Sequence, residues 1–298
     1  MELWVAVTLA AAVFQTARFM LQKHLAGAAL NVAGATFSRF IYSAPLIALL
    51  LAVMLRDTGL PDLGAAFWPN VVVGAVAQVI ATLCVVAVFA MRNFAVGITL
   101  MKTETVLTVV VGFALLGEVV SGWALVAILI GLGGVLMLTD MPGLEGGWLH
   151  RLWNRAAGLG LASGAIFAVS SVTYRAASLQ VASDQPFIRA LVTLAAVVAV
   201  QVVGMGAWLV WRDRDQLVRV LRAWRVAGWV GVASMGGSLC WFTAFTLQNA
   251  ALVKAVGQVE LLLSVIAGAV VFRESLSRRE IAGMVLVSAS VLTLVLFP

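Results

Sequence analysis

Polar residues interrupt this chain only at long intervals. Ten apolar runs can be marked, at about 3–22, 34–54, 70–91, 95–116, 122–139, 156–177, 187–210, 226–247, 250–272 and 281–297, with short polar stretches between them. A helix of roughly 20 apolar residues spans the hydrocarbon of a bilayer. The pattern therefore predicts an all-α integral membrane protein of ten transmembrane helices, with no room for a separate soluble domain. Pro45 predicts a kink in the second run. Between the seventh and eighth runs, Leu217, Val220, Leu221 and Trp224 recur at helical spacing beside Arg219, Arg222 and Arg225. That spacing predicts a short amphipathic helix on the membrane surface.

The fourth run is written a second time in the ninth. Asn93, Glu104, Gly112 and Glu118 reappear, 156 residues later, as Asn249, Glu260, Gly268 and Glu274. Cys84 and Cys240 keep the same offset, and Phe14 and Arg39 align with Phe167 and Arg189 after small slips. Five runs per half means that the second half enters the membrane from the opposite side. The expectation is two inverted-topology five-helix repeats, 1–139 and 156–298, joined by a loop at 140–155 that holds Pro142, Gly143, Gly146 and Gly147.

Composition agrees: 63% of the 298 residues are hydrophobic and 11% charged, against about a quarter charged in soluble domains. The first run has no basic leader and contains Arg18, which argues against a cleavable signal. The net charge of +6 is not a nucleic-acid footprint, because the basic residues gather at helix ends, where they meet anionic lipid. Most lie after odd-numbered runs, among them Arg92, Arg151, Arg155, Arg212, Arg273 and Arg279, whereas Arg56 and Arg175 lie on the other side. The positive-inside rule then puts both termini outside. Cys84 and Cys240, inside apolar runs, read as packing residues rather than a disulfide or metal pair.

Helical stripes carry the candidate chemistry. Gly97, Met101, Glu104, Thr108 and Gly112 share one face, repeated by Gly257, Glu260, Ser264 and Gly268. The third and eighth runs offer Gln78 and Thr82, and Ser234, Ser238, Trp241 and Phe245; the sixth offers Ser163, Gly164, Phe167, Ser170 and Tyr174. The first aligns Phe14 or Gln15 with Arg18 and Gln22. Small residues there also permit close helix packing. An ionised Glu in hydrocarbon costs several kcal/mol, so Glu104 and Glu260 should face the interior and find partners among Arg18, Arg39, Lys102, Arg189 and Lys254. They serve either as glue between the halves or as a site. Glu118 and Glu274, at run ends, read as capping or loop-pairing groups. A cavity lined by Phe14, Gln78, Met101, Glu104, Ser163, Phe167, Trp241 and Glu260 would take a small amphipathic solute, with Met101 and Ser163 setting its size.

Catalytic signatures are missing. His24 and His150 sit at membrane boundaries, and no H-E-x-x-H, G-x-S-x-G or Walker loop occurs. Gly160-Leu161-Ala162-Ser163-Gly164 resembles an intramembrane serine motif only superficially, with no His in the membrane to act as base. The reading is not an enzyme, with no cofactor and no metal.

The Asn-led starts of runs four and nine, and the turns Gly117-Glu118-x-x-Ser121 and Arg273-Glu274-x-x-Ser277, resemble the ten-helix EamA-type branch of the drug/metabolite transporter superfamily. Length and Met101-Lys102-Thr103-Glu104 are most similar to its YddG-type exporters. That resemblance implies export of aromatic and neutral amino acids across a bacterial-type inner membrane by alternating access, and a monomer whose partners are small solutes and lipid. It implies cytoplasmic termini, the opposite of the charge count. The alternatives are efflux of other metabolites or toxic cations, and an enzyme acting on lipid-linked substrates.

Overall fold

The computed structural model describes residues 2–26, 30–89, 100–138, 155–263, 266 and 278–296. Eleven helices form among them: α1 (Leu3–Ala26), α2 (Val32–Met54), α3 (Phe67–Phe89), α4 (Glu104–Leu116), α5 (Gly122–Leu138), α6 (Arg155–Leu179), α7 (Pro186–Arg212), α8 (Arg214–Arg222), α9 (Trp224–Leu247), α10 (Ala250–Gly257) and α11 (Arg278–Leu296). Spans within α2, α3, α6, α7 and α9 are long and apolar enough to cross a membrane, and shorter apolar segments lie in α1, α4, α5 and α11. The expected ninth run is described only as α10 and a further stretch of helix to 263, plus 266. Asn93, Gly97, Ser264, Gly268, Arg273 and Glu274 lie outside the described residues.

Local chemistry sets several boundaries. Asn31 caps α2 by accepting from Gly34 N at 2.9 Å. The helix then runs unbroken through Pro45 to Met54, so the kink expected there does not interrupt it. α4 ends where Gly117 adopts φ 65°, the left-handed conformation that favours glycine. The amphipathic helix appears as α8, shifted so that Trp224 begins α9 instead. Asp213 caps it by accepting from Gln216 N at 3.2 Å. Gln216 and Val220 are buried against α2, and Tyr42 donates to Val220 O at 3.0 Å, while Leu221 stays exposed.

Pairing follows a reciprocal pattern. α1 packs chiefly on α9 and α3 on α6, while α5 packs on α11, α2 on both α9 and α7, and α4 on both α6 and α10. The α5–α11 contact is backbone on backbone: a Cβ at Gly134 would come within 2.8 Å of Gly283 O, and one at Gly283 within 2.8 Å of Gly134 O. Ser290 reinforces it by donating to Ala127 O at 2.6 Å. Small residues that let backbones touch are the usual means of holding helices together in lipid, where hydrophobic drive is absent. Outward faces carry large apolar side chains such as Leu49, Val110, Phe113 and Leu292, and exposed Trp68, Trp123, Trp211 and Trp224 stand at helix ends. An apolar belt with tryptophans at its margins is the surface a bilayer selects. At one end of the bundle the α2–α3 and α6–α7 loops are tied by Gly64 N to Gln180 O at 2.8 Å and Ala182 N to Asp62 O at 2.9 Å.

Candidate functional site

Glu104 opens α4, directly after a turn at Lys102 and Thr103. There Thr103 N donates to Leu100 O at 3.2 Å, three residues back. α10 ends in the same manner, with Gln258 N donating to Ala255 O at 3.2 Å and Leu261 N to Gln258 O at 2.9 Å. Such bonds tighten a helix locally toward the 3-10 form, a frequent mark of a hinge. Both tightenings fall within one residue of positions that lie 156 apart in the sequence.

An ion pair joins the two segments. Lys254 Nζ lies 2.7 Å from Glu104 Oε1, with both side chains largely shielded. Ser171 on α6 donates to the same carboxylate oxygen at 3.5 Å. The ammonium also rests 5.1 Å from the Trp241 ring centroid and 5.8 Å from that of Phe245, and the two rings stack on each other. Aromatic faces stabilise a cation in this position, more so where water is scarce.

The second carboxylate is served differently. Gln15 on α1 donates to Glu260 through Nε2 and accepts from Trp241 Nε1 at 3.0 Å. Glu260 also attracts the buried Arg18. The chain Glu260, Gln15, Trp241, Lys254, Glu104 therefore runs through α1, α9, α10 and α4. Nearby, Gln258 Nε2 donates to Thr105 Oγ1 at 2.9 Å, a further tie between the segments.

A neutral network lies between α3, α6 and α7. Tyr174 Oη is 3.0 Å from Gly74 O and from Gln78 Oε1, and Gln201 Nε2 donates to Gln78 Oε1 at 2.6 Å. Tyr174 stacks on Phe242 with centroids 4.5 Å apart. At one end of the bundle Arg175 pairs with Glu118 and donates to Phe245 O at 2.6 Å and Gln248 O at 2.8 Å. One guanidinium thus fastens the turn after α4 to the end of α9.

Of the eight expected cavity residues, Glu104, Trp241 and Glu260 meet in one cluster. Met101 stands just before it, and its carbonyl is so close to α6 that a Cβ on Gly164 would come within 2.7 Å. Phe14 packs its ring on Gly236 and its Cβ on Gly237 of α9 and is 39% exposed. Gln78 belongs to the neutral network. Phe167 is half-buried on α6, one turn before Ser171. Ser163 is wholly buried, with Oγ donating to Ala81 O at 3.3 Å; it joins α3 to α6 and does not line an opening here.

The expected charge partners divide. Lys254 takes Glu104 and Arg18 lies by Glu260, but Arg189, in the first turn of α7, donates to Val181 O at 3.0 Å and Leu179 O at 3.4 Å. Lys102 and Arg39 meet no carboxylate among the described residues. Nothing in the sequence marks Ser171, Gln201 or Thr105, because a lone hydroxyl or amide in an apolar run gives no spacing signal. A separate apolar groove of about 460 Å³, lined by Val73, Val110, Leu115 and Val169 among others, lies outside the charge cluster. No group of residues suited to hold a metal ion occurs among the described residues.

Residues 154–296 match the EamA-like transporter family. A protein of known crystal structure is similar in fold over 98% of this chain and 96% of its own, with TM-score 0.70 and 15% identity. No curated protein matches the chain. The second half therefore carries an EamA-like domain. With its apolar helices, the protein is a multi-pass membrane protein.

Proposed function

We propose that the chain is a secondary transporter exporting neutral and aromatic amino acids across a bacterial-type inner membrane, by alternating access of two inverted five-span halves. The Glu104–Lys254 pair carries this reading. It lies between segments from opposite halves, each tightened locally, where a small rearrangement would part the charges. Transporters commonly place sites at such discontinuous helices. The reciprocal pairing of α1 on α9 and α3 on α6 supports the two-fold design, since each pair maps onto the other when the halves are exchanged. The EamA-like match over 154–296 supports transport of small metabolites. A zwitterion suits the cluster: its ammonium can take the place of Lys254 beside Glu104, and its apolar side chain can lie on Trp241 and Phe245. A monomer suffices for this reading.

Counterflow of labelled phenylalanine, tryptophan, methionine and threonine into proteoliposomes tests the proposal. Saturable exchange that is lost in Glu104→Gln supports it. Exchange confined to organic cations, with no competition by any amino acid, replaces it with cation efflux. Product formation from a lipid-linked substrate in detergent, without sealed vesicles, replaces it with an enzyme.

A further inference from the structure

Charge is out of balance inside the bundle. Among the described residues, and apart from the Arg175–Glu118 pair at one end of the bundle, the interior holds two carboxylates, Glu104 and Glu260, and three cations, Arg18, Arg39 and Lys254. Lys254 is taken by Glu104. Glu260 accepts from Gln15 and attracts Arg18. Arg39 is left over. Its side chain is 7% exposed, and among the described residues no carboxylate, carbonyl or hydroxyl accepts from its guanidinium. The contact it makes is with the neighbouring Phe40 ring, 5.0 Å from the centroid. Arg18 on α1 and Tyr174 on α6 are its electrostatic neighbours.

A guanidinium offers five N–H donors in a planar fork shaped for a carboxylate. The residue is largely shielded but its nitrogens are not fully enclosed, so the fork stays open to a ligand, and a charge held there without an acceptor is unfavourable until a partner arrives. The nearby Arg18 charge adds to the positive potential without supplying an acceptor. Lys102, Arg175 and Arg189 cannot reverse that sign, and both interior carboxylates are committed elsewhere.

We infer that Arg39 receives the carboxylate of the transported solute, making α2 the anion-holding wall of the site. The inference rests on the transport reading above and adds the anchoring residue and the chemical group it selects. The solute's ammonium end is then left to the Glu104 and Glu260 side of the cluster. A solute lacking a carboxylate loses the anchor, whatever its side chain.

The test compares phenylalanine with phenylalaninamide in proteoliposomes of the full chain, for the parent, Arg39→Gln and Arg39→Lys. The parent should move phenylalanine at least about tenfold better than the amide, the scale of a charge-assisted hydrogen-bonded contact. Arg39→Gln should lose that preference while moving the amide within about twofold of the parent, and Arg39→Lys should keep part of it. A parent-like preference in Arg39→Gln overturns the inference even if transport is intact. Should the parent move no amino acid, the transport reading fails separately. Arg39 is then judged by melting of the purified chain with 3-phenylpropionate, inorganic phosphate or chloride. Stabilisation of the parent by the carboxylate, lost in Arg39→Gln and kept in Arg39→Lys, upholds the anion site. Equal stabilisation of all three forms, a response to chloride alone, or none at all overturns it. Monodisperse Arg39→Lys provides the folding control.

Discussion

Lys254 Nζ on α10 reaches Glu104 Oε1 on α4 across 2.7 Å, under the stacked rings of Trp241 and Phe245. Removing one partner strands the other in a poorly solvated place. Glu104→Gln and Lys254→Met should each cost about 2–3 kcal/mol, somewhat below the ~3–5 kcal/mol of fully buried pairs. The double variant should be less destabilised than the sum. Melting of the four forms closes the cycle, and simple additivity would show that the pair does not couple α4 to α10.

Gly164 and Gly158 share α6 but not surroundings. A Cβ at Gly164 would press on Met101 O at 2.7 Å, whereas one at Gly158 meets nothing within 4 Å. Gly164→Ala should destabilise by about 1–3 kcal/mol through overpacking. Gly158→Ala should be neutral or gain up to about 1 kcal/mol from helix propensity. Parallel melts decide. Equal effects would mean that Met101 does not approach α6 as described.

Within the neutral network, Tyr174→Phe removes a donor and should cost about 1 kcal/mol. Gln78→Leu is the harsher change, because it removes the oxygen that Tyr174 Oη and Gln201 Nε2 share, leaving Gln201 only the longer 3.4 Å contact to Tyr174 Oη and Tyr174 only Gly74 O. Its expected cost is about 1–3 kcal/mol. A reversed order of the two melts would place the acceptor elsewhere.

Arg175 serves three oxygens at once, on Glu118, Phe245 and Gln248. Lysine cannot span them in the same plane. Arg175→Lys and Arg175→Gln should both raise backbone exchange around residues 245–251, by about tenfold, in hydrogen-exchange mass spectrometry. Parent-like protection in the lysine variant would show that charge alone holds this end.

Much of the architecture was readable because lipid imposes a simple rule: apolar runs become helices. The amphipathic stretch around Val220 became α8 for the same reason, since its two faces have different solvents. Partner choice was not readable. Five cations were candidates for Glu104, and the one it takes lies 150 residues away on α10, a contact set by tertiary packing rather than spacing. Ser163 shows the opposite limit. Its stripe marked a face of α6, but periodicity does not say whether a face meets solvent or a neighbouring carbonyl, and here it meets Ala81 O. Arg189 sat in an apolar run by composition, yet one turn into α7 its long side chain reaches loop carbonyls instead.

At the crossing of Gly134 and Gly283, main chain lies on main chain with no side chain between to act as a cushion. Neither helix can slide along or roll over the other without prising backbone from backbone. The two should therefore behave as a single strut throughout a working cycle. Spin labels placed on α5 and α11 should keep one sharp separation, whether solute is present or not, while labels on α4 and α10 report whatever travel the protein performs.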